Sequence, residues 1–128
     1  MKISKLDHLV LTVQDIDATC HFYGDILGMD VITFDNDRRA LRFGDQKINL
    51  HLKGHEFEPK AEHPTLGSAD FCLISSTKLD LIIDELNSHR IPIVQGPIDK
   101  HGALGPMTSI YVRDPDKNLV EISNYQNT

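Results

Sequence analysis

The chain has 128 residues, about one domain by the usual size relation and long enough to bury a core without disulfides or structural metal. Its 13 Lys and Arg against 19 Asp and Glu leave a net charge of −6 with no basic block, which argues against nucleic acid as a main partner. At 40% hydrophobic and 25% charged residues, with only 2 cysteines, it is neither disordered, nor collagen-like, nor a disulfide framework.

Leu6 to Val13 is rich in aliphatic and β-branched residues and predicts a strand. Alternation puts Leu9, Leu11 and Val13 on one apolar face, expected to pack on a helix, and His8, Val10 and Thr12 on the other. Asp15 is an N-cap candidate for a helix whose apolar set is Ile16, Cys20, Tyr23 and Leu27, and Gly28 is its natural stop. Strands are expected at Asp30 to Phe34, Arg39 to Phe43 and Lys47 to Leu52, separated by turns at Asp35-Asn36-Asp37 and Gly44-Asp45-Gln46. A connector, 53–67, has no sustained period.

The second half repeats this order. Ser68 to Ser75 reads as a strand, Thr77 as the cap of a helix burying Leu79, Ile82, Ile83 and Leu86, and Ile91 to Val94 as a strand. Gly96 to Met107, broken by Gly and Pro, reads as a loop. Thr108 to Arg113 and Leu119 to Ser123 are the last strands, joined by a turn at Asp114 to Asn118. His8 aligns with Asp70 at an offset of 62, and Asn49 with Glu121 at an offset of 72, so the second copy carries about ten extra residues, which the 96–107 loop accommodates. The expected fold is α+β: a single domain, 1–128, of two βαβββ modules with curled mixed sheets around a cavity. Module 1 spans about 4–52 and module 2 about 68–125.

His8, Asn49, Asp70 and Glu121 occupy matching points of the two modules, each inside a strand and opposite the helix-packing face. An ionisable group there must be hydrogen-bonded, paired or bound to metal. His and Glu suit a divalent first-row ion such as Zn, Ni, Mn or Fe, whereas Asn is a weaker neutral oxygen ligand. The alternative is that His8 and Asp70 are hydrogen-bonded members of a polar sheet interior. Lys47, Asn49 and His51 share a face, so His51 is a cavity-lining candidate. Arg38 and Arg39 read as a solvated face, with Arg39 a candidate anchor for an anionic substrate. Cys72 reads as a core thiol, since the nearby Asp70 carboxylate opposes thiolate formation. The apolar run Leu9 to Val13 is far shorter than the roughly 20 residues of a membrane helix. Met1 to Lys5 lacks the apolar stretch of a secretory leader, so a cytoplasmic protein with no membrane partner is expected.

Three segments, Leu6 to Val13, Phe22 to Met29 and Tyr111 to Ile122, together resemble the vicinal oxygen chelate superfamily, which includes glyoxalase I, extradiol dioxygenases, and fosfomycin- and bleomycin-resistance proteins. Phe43 to His51 and Phe57 to Ala61 look like the glyoxalase domain-containing protein 5 subgroup and its bacterial relatives, some of them labelled virulence proteins. The resemblance implies metal ligands on the first and last strands of each module, which fall on His8, Asn49, Asp70 and Glu121. Glyoxalase I has His or Gln, Glu, His and Glu there; this chain matches at His8 and Glu121 and departs at Asn49 and Asp70. Lys117 stands where the turn usually has Gly, at a cost of roughly 1 kcal/mol if φ is positive. The resemblance further implies a metal-dependent lyase or isomerase acting on a small substrate with adjacent oxygens, with Glu121 as catalytic base and His51, Arg39 and Tyr111 toward the substrate. A dioxygenase and a non-catalytic binding protein are the alternatives. A homodimer is expected, each cavity taking one module from each chain as in glyoxalase I.

Overall fold

Alternation along β1 (His8–Val13) sorts the strand as expected: Leu11 and Val13 are buried, and His8 and Val10 are exposed. The computed structural model describes residues 1–126. Two compact units divide at Gly67 and Ser68, where the second module was expected to begin, and the connector 53–67 belongs with unit 1.

Asp15 caps α1 (Ile16–Cys20): its Oδ1 accepts from the Ala18 backbone N–H at 3.0 Å. The helix then widens into a π-helical turn, His21–Ile26, which lets the adjacent residues Phe22 and Tyr23 both be buried, edge to face with centroids 4.9 Å apart. Gly28, at φ +82°, ends it in the left-handed region. Within that turn Gly24 is required for a different reason: a Cβ there would stand 2.8 Å from the Val31 side chain.

The next three strands are β2 (Asp30–Phe34), β3 (Arg38–Phe43) and β4 (Gln46–Leu52). The sheet order is β1-β4-β3-β2, with β1 parallel to β4 and the rest antiparallel. In β4 both faces are buried: Ile48 and Leu50 point to the apolar side, Asn49 and His51 to the other.

Unit 2 repeats the plan with β5 (Asp70–Ile74), α2 (Leu79–Ser88), β6 (Gln95–Gly102), β7 (Gly105–Arg113) and β8 (Leu119–Tyr125), in the order β5-β8-β7-β6. Three expectations are corrected here. Ile91 to Val94 is not a strand; the strand begins at Gln95. Gly96 to Met107 is not a loop but most of a hairpin, in which Asp99 to Gly102 pair with Gly105 to Thr108. The Gly and Pro residues mark its irregularities rather than its absence: Gly96, at φ +109°, and Pro97 sit where the register shifts between Gln95 and Ile98, and Gly102 and Gly105 flank the turn. A Cβ on Gly96 would meet the Ser109 carbonyl oxygen at 2.4 Å. Thr77 does not cap α2. The side chain of Asn124 on β8 does so, accepting from the Leu79 N–H at 2.7 Å and donating to the Ser75 and Thr77 carbonyls.

The β7–β8 turn is built on a buried carboxylate. Asp114 Oδ1 accepts from the Asp116 and Asn118 backbone N–H groups, and Oδ2 from the Asn118 side chain, whose own oxygen accepts from Ala69 N–H. Lys117 does adopt positive φ, +73°.

Candidate functional site

The register places the four sequence candidates equivalently. In unit 1, His8 pairs with Lys47 and Val10 with Asn49; in unit 2, Asp70 pairs with Leu119 and Cys72 with Glu121. Each unit therefore offers two candidates on neighbouring parallel strands, diagonal to one another, on the face away from the helix. Within either unit, among the described residues, no group of three or more His, Cys, Asp and Glu side chains assembles.

In unit 1, His8 Nδ1 lies 2.7 Å from Asp7 Oδ2, which favours the tautomer with its proton on Nδ1 and leaves Nε2 as a lone pair. The bond also draws the Asp7 carboxyl below its usual range. Asn49 is buried at 7% exposure, and its Oδ1 accepts no hydrogen bond among the described residues. His51 is buried at 3%; burial, helped by the Arg38 charge, lowers its pKa, so it is held neutral at pH 7. Arg38 Nη2 lies 3.5 Å from His51 Nε2, at the limit of a hydrogen bond.

Of the two arginines, Arg38 and not Arg39 reaches this face. Arg39 turns to the helix side, where it lies 3.9 Å from Asp17 and its charge is felt by the Cys20 thiol. The reason is pleat: Ala40 is paired with Asn49, so the residue two before it, Arg38, shares the Asn49 face. Strand β3 was expected to start at Arg39, which hid this. Sequence reading also missed Phe34, Lys47 and Phe57. The Arg38 guanidinium sits 4.4 Å from the Phe57 ring centroid and 5.2 Å from that of Phe34, and Lys47 Nζ sits 4.3 Å from Phe34. Phe57 also meets His51 edge to face at 5.5 Å. Strand alternation carries the signal for Phe34 and Lys47, but nothing local in the connector points Phe57 here.

In unit 2, Asp70, Tyr111 and Glu121 line a cavity of about 450 Å3 together with Gln95, Arg113 and Leu119. Tyr111 is paired with Glu121 across β7 and β8, which sets its side chain on the same face beside the carboxylate. Burial and the Glu121 charge push the Tyr111 phenol up, so it stays protonated. Ser123 Oγ donates to Glu121 Oε2 at 3.4 Å and lies 2.6 Å from Ser109 Oγ. Cys72 Sγ joins the chain 3.2 Å from Ser123 Oγ. Cys72 is exposed as a residue rather than part of the core, and burial of its sulfur with the nearby Glu121 charge pushes the thiol up, so it is no nucleophile at neutral pH. This arrangement can accept a proton at Glu121, whose carboxylate Ser123 orients.

The model of the Glyoxalase/Bleomycin resistance protein/Dioxygenase superfamily matches residues 5–122. Virulence protein STM3117 of Salmonella typhimurium is 54% identical over 98% of this chain and 87% of its own length. Its crystal structure superposes at a TM-score of 0.96, covering 98% of this chain and 99% of that one. Glyoxalase domain-containing protein RDO1 of Mycosarcoma maydis is 51% identical over 98% of this chain and 71% of its own. An integron cassette protein from the mobile metagenome of Vibrio cholerae is 52% identical, at a TM-score of 0.96 and 98% coverage of both chains.

Proposed function

Since the chain belongs to the Glyoxalase/Bleomycin resistance protein/Dioxygenase superfamily, we propose that it is a glyoxalase-like lyase or isomerase in which Glu121 moves a proton next to a carbonyl of a small substrate with adjacent oxygens. The observation that carries this reading is the Glu121 carboxylate itself: half-buried, facing a cavity, hydrogen-bonded by Ser123 and flanked across the strand by Tyr111. A base so held is positioned before substrate arrives, and the phenol of Tyr111 can follow the proton as Glu121 takes it up and releases it.

The donor types fit the divalent ion that the family implies. His8 presents a free Nε2 lone pair, with Asp7 behind it as the carboxylate that orients a metal-binding imidazole. Asn49 presents a buried oxygen without a donor. His8 and Asn49 on the unit 1 face, and Asp70 and Glu121 on the unit 2 face, are the residues that would offer ligands to it. A bound Zn, Ni, Mn or Fe ion would polarise the substrate oxygens and stabilise the charge that proton removal creates. Asn49 and Asp70 replace the Glu and His of glyoxalase I. The same two replacements favour, as the second reading, a small-molecule binding protein without chemistry.

A homodimer follows from the same reading. Within each unit the outer strands β1, β2, β5 and β6 keep one edge unpaired, and such edges are usually covered. The cytoplasm is the proposed compartment. Among the described residues no helix is long and apolar enough to cross a membrane.

The test is proton exchange. Small α-hydroxycarbonyl compounds incubated with the protein in D2O should lose their C–H signal in the NMR spectrum. Glu121→Gln should slow this by about 100-fold or more, the usual worth of a positioned base. Exchange that is absent across the panel, or unchanged in Glu121→Gln, hands first place to the binding-protein reading.

A further inference from the structure

The Asn49 face of unit 1 carries two cations, Arg38 and Lys47, that form no close ion pair among the described residues, although the Lys47 charge is felt by the Asp7 carboxylate from beyond 4.0 Å. The carboxylates nearby are engaged elsewhere: Asp7 with His8, Asp17 with Arg39, Asp30 with Arg42, Asp45 with Lys5 and Glu58 with Lys60. Glu56 accepts from the Gly54 N–H. Among the described residues neither Arg38 nor Lys47 lies within 4.0 Å of a carboxylate oxygen.

Instead both cations lie against aromatic rings. Arg38 has Phe57 and Phe34 near it, Lys47 has Phe34, and Arg38 Nε is buried without an acceptor. Phe57, which covers Arg38 from the connector, is 41% exposed, so the cluster is reached from solvent. Rings stacked on a guanidinium restrict it to its plane, which leaves its edge for in-plane acceptors, and a planar carboxylate is the acceptor that matches that fork.

We propose that Phe34, Arg38, Lys47 and Phe57 form an anion subsite that takes the carboxylate of a small organic acid, with the flat part of that acid lying against Phe57. Arg38 binds the carboxylate through its fork, Lys47 adds a point charge, and the exposed ring of Phe57 accounts for a preference for flat hydrocarbon next to the anion. The inference rests on the reading of this face as part of a ligand site and deepens it by naming the substrate class: a carboxylic acid with an unsaturated or aromatic neighbour.

Calorimetric titration tests it with benzoate, cyclohexanecarboxylate, benzamide and inorganic phosphate, on the wild-type chain and on Arg38→Met, Arg38→Lys and Lys47→Met, each checked for fold by circular dichroism. Benzoate should bind the wild type more tightly than cyclohexanecarboxylate or phosphate, and benzamide should not bind. Arg38→Met should weaken benzoate by about tenfold or more, the usual worth of a charge-assisted pair. Arg38→Lys should recover part of the loss, and Lys47→Met should weaken it less. The proposal is overturned if benzoate does not bind, if phosphate binds as well as benzoate, or if folded Arg38→Met and Lys47→Met both bind it like the wild type. Should Arg38→Met not fold, Arg38→Lys and Lys47→Met decide. Benzoate binding that depends on Arg38 in a protein without proton exchange would uphold the subsite while the lyase reading fails.

Discussion

Two copies of one plan carry faces of opposite character. Matching positions by register, Lys47, Asn49 and His51 on β4 correspond to Leu119, Glu121 and Ser123 on β8, and Arg38 and Ala40 on β3 to Ser109 and Tyr111 on β7. Unit 1 is cationic, aromatic and buried; unit 2 is acidic and opens to a cavity. One pair of positions teaches the most. Ser123 gives the Glu121 carboxylate a hydroxyl donor and Tyr111 stands across from it, whereas Ala40 gives Asn49 only a methyl and, among the described residues, the Asn49 oxygen has no donor. The backbone plan was kept while the polar partner was satisfied in one copy and left open in the other. An open acceptor in an otherwise packed face costs stability, roughly 1–3 kcal/mol, and is best understood as kept for a ligand.

The largest stability effect expected from this contrast is at Asn49. Asn49→Leu removes the unpartnered oxygen at similar volume, so urea unfolding should show no loss and a gain of about 1 kcal/mol. The same variant should bind divalent metal more weakly. A clear loss of stability would mean that the oxygen is satisfied after all.

The next contrast is His51 against Ser123. Burial lowers the His51 pKa below its ordinary value of 6.5. In the unfolded chain this histidine takes up its proton first as pH falls. The folded state is therefore fully favoured above about pH 6.5 and loses stability as pH drops from there toward the lowered folded value. His51→Gln should flatten the part of the pH–stability curve just below 6.5. An unchanged slope there would show that the side chain is not held neutral.

The smallest effect distinguishes the two β-turns. The β3–β4 turn places Gly44 at φ +53°, and the β7–β8 turn places Lys117 at φ +73°. Lys117→Gly should raise stability by about 0.5 kcal/mol, the strain relieved less the extra freedom glycine has in the unfolded chain, read from the urea midpoint. Little or no gain would show that contacts of Lys117 offset its backbone strain. Its carbonyl does accept from Arg113 Nη1 at 3.3 Å, a bond the variant keeps.

Much of this was readable in the residues, for identifiable reasons. Alternation in β1 and the duplicated spacing located both modules and the non-helix face of each sheet, because period two and helical period are local properties. Asp15 and Gly28 marked the first helix for the same reason. The second helix stands where its spacing put it, but its cap defeated local reading because Asn124 comes from a strand 45 residues away. The β6–β7 hairpin was hidden because Gly96, Pro97, Gly102 and Gly105 look like breaks, whereas pairing with β7 tolerates them at a bulge and a turn. The face of Glu121 followed from strand position, whereas Tyr111 came only with the family resemblance. Choosing between Arg38 and Arg39 needed the register of β3 on β4, and a start one residue late was enough to select the wrong face. Phe57 reaches its place through tertiary packing of the connector, which no periodicity encodes.

The most direct test of the central claim is a calorimetric titration of chelator-treated protein with Mn, Ni and Zn, comparing the wild type with Glu121→Gln. The account predicts that at least one of these ions binds the wild type stoichiometrically, and that Glu121→Gln, which keeps shape and hydrogen bonding but loses the charge, binds it at least about tenfold more weakly. No binding by the wild type, or equal binding by the two proteins, would contradict the assignment of Glu121 as the residue on which the unit 2 face depends.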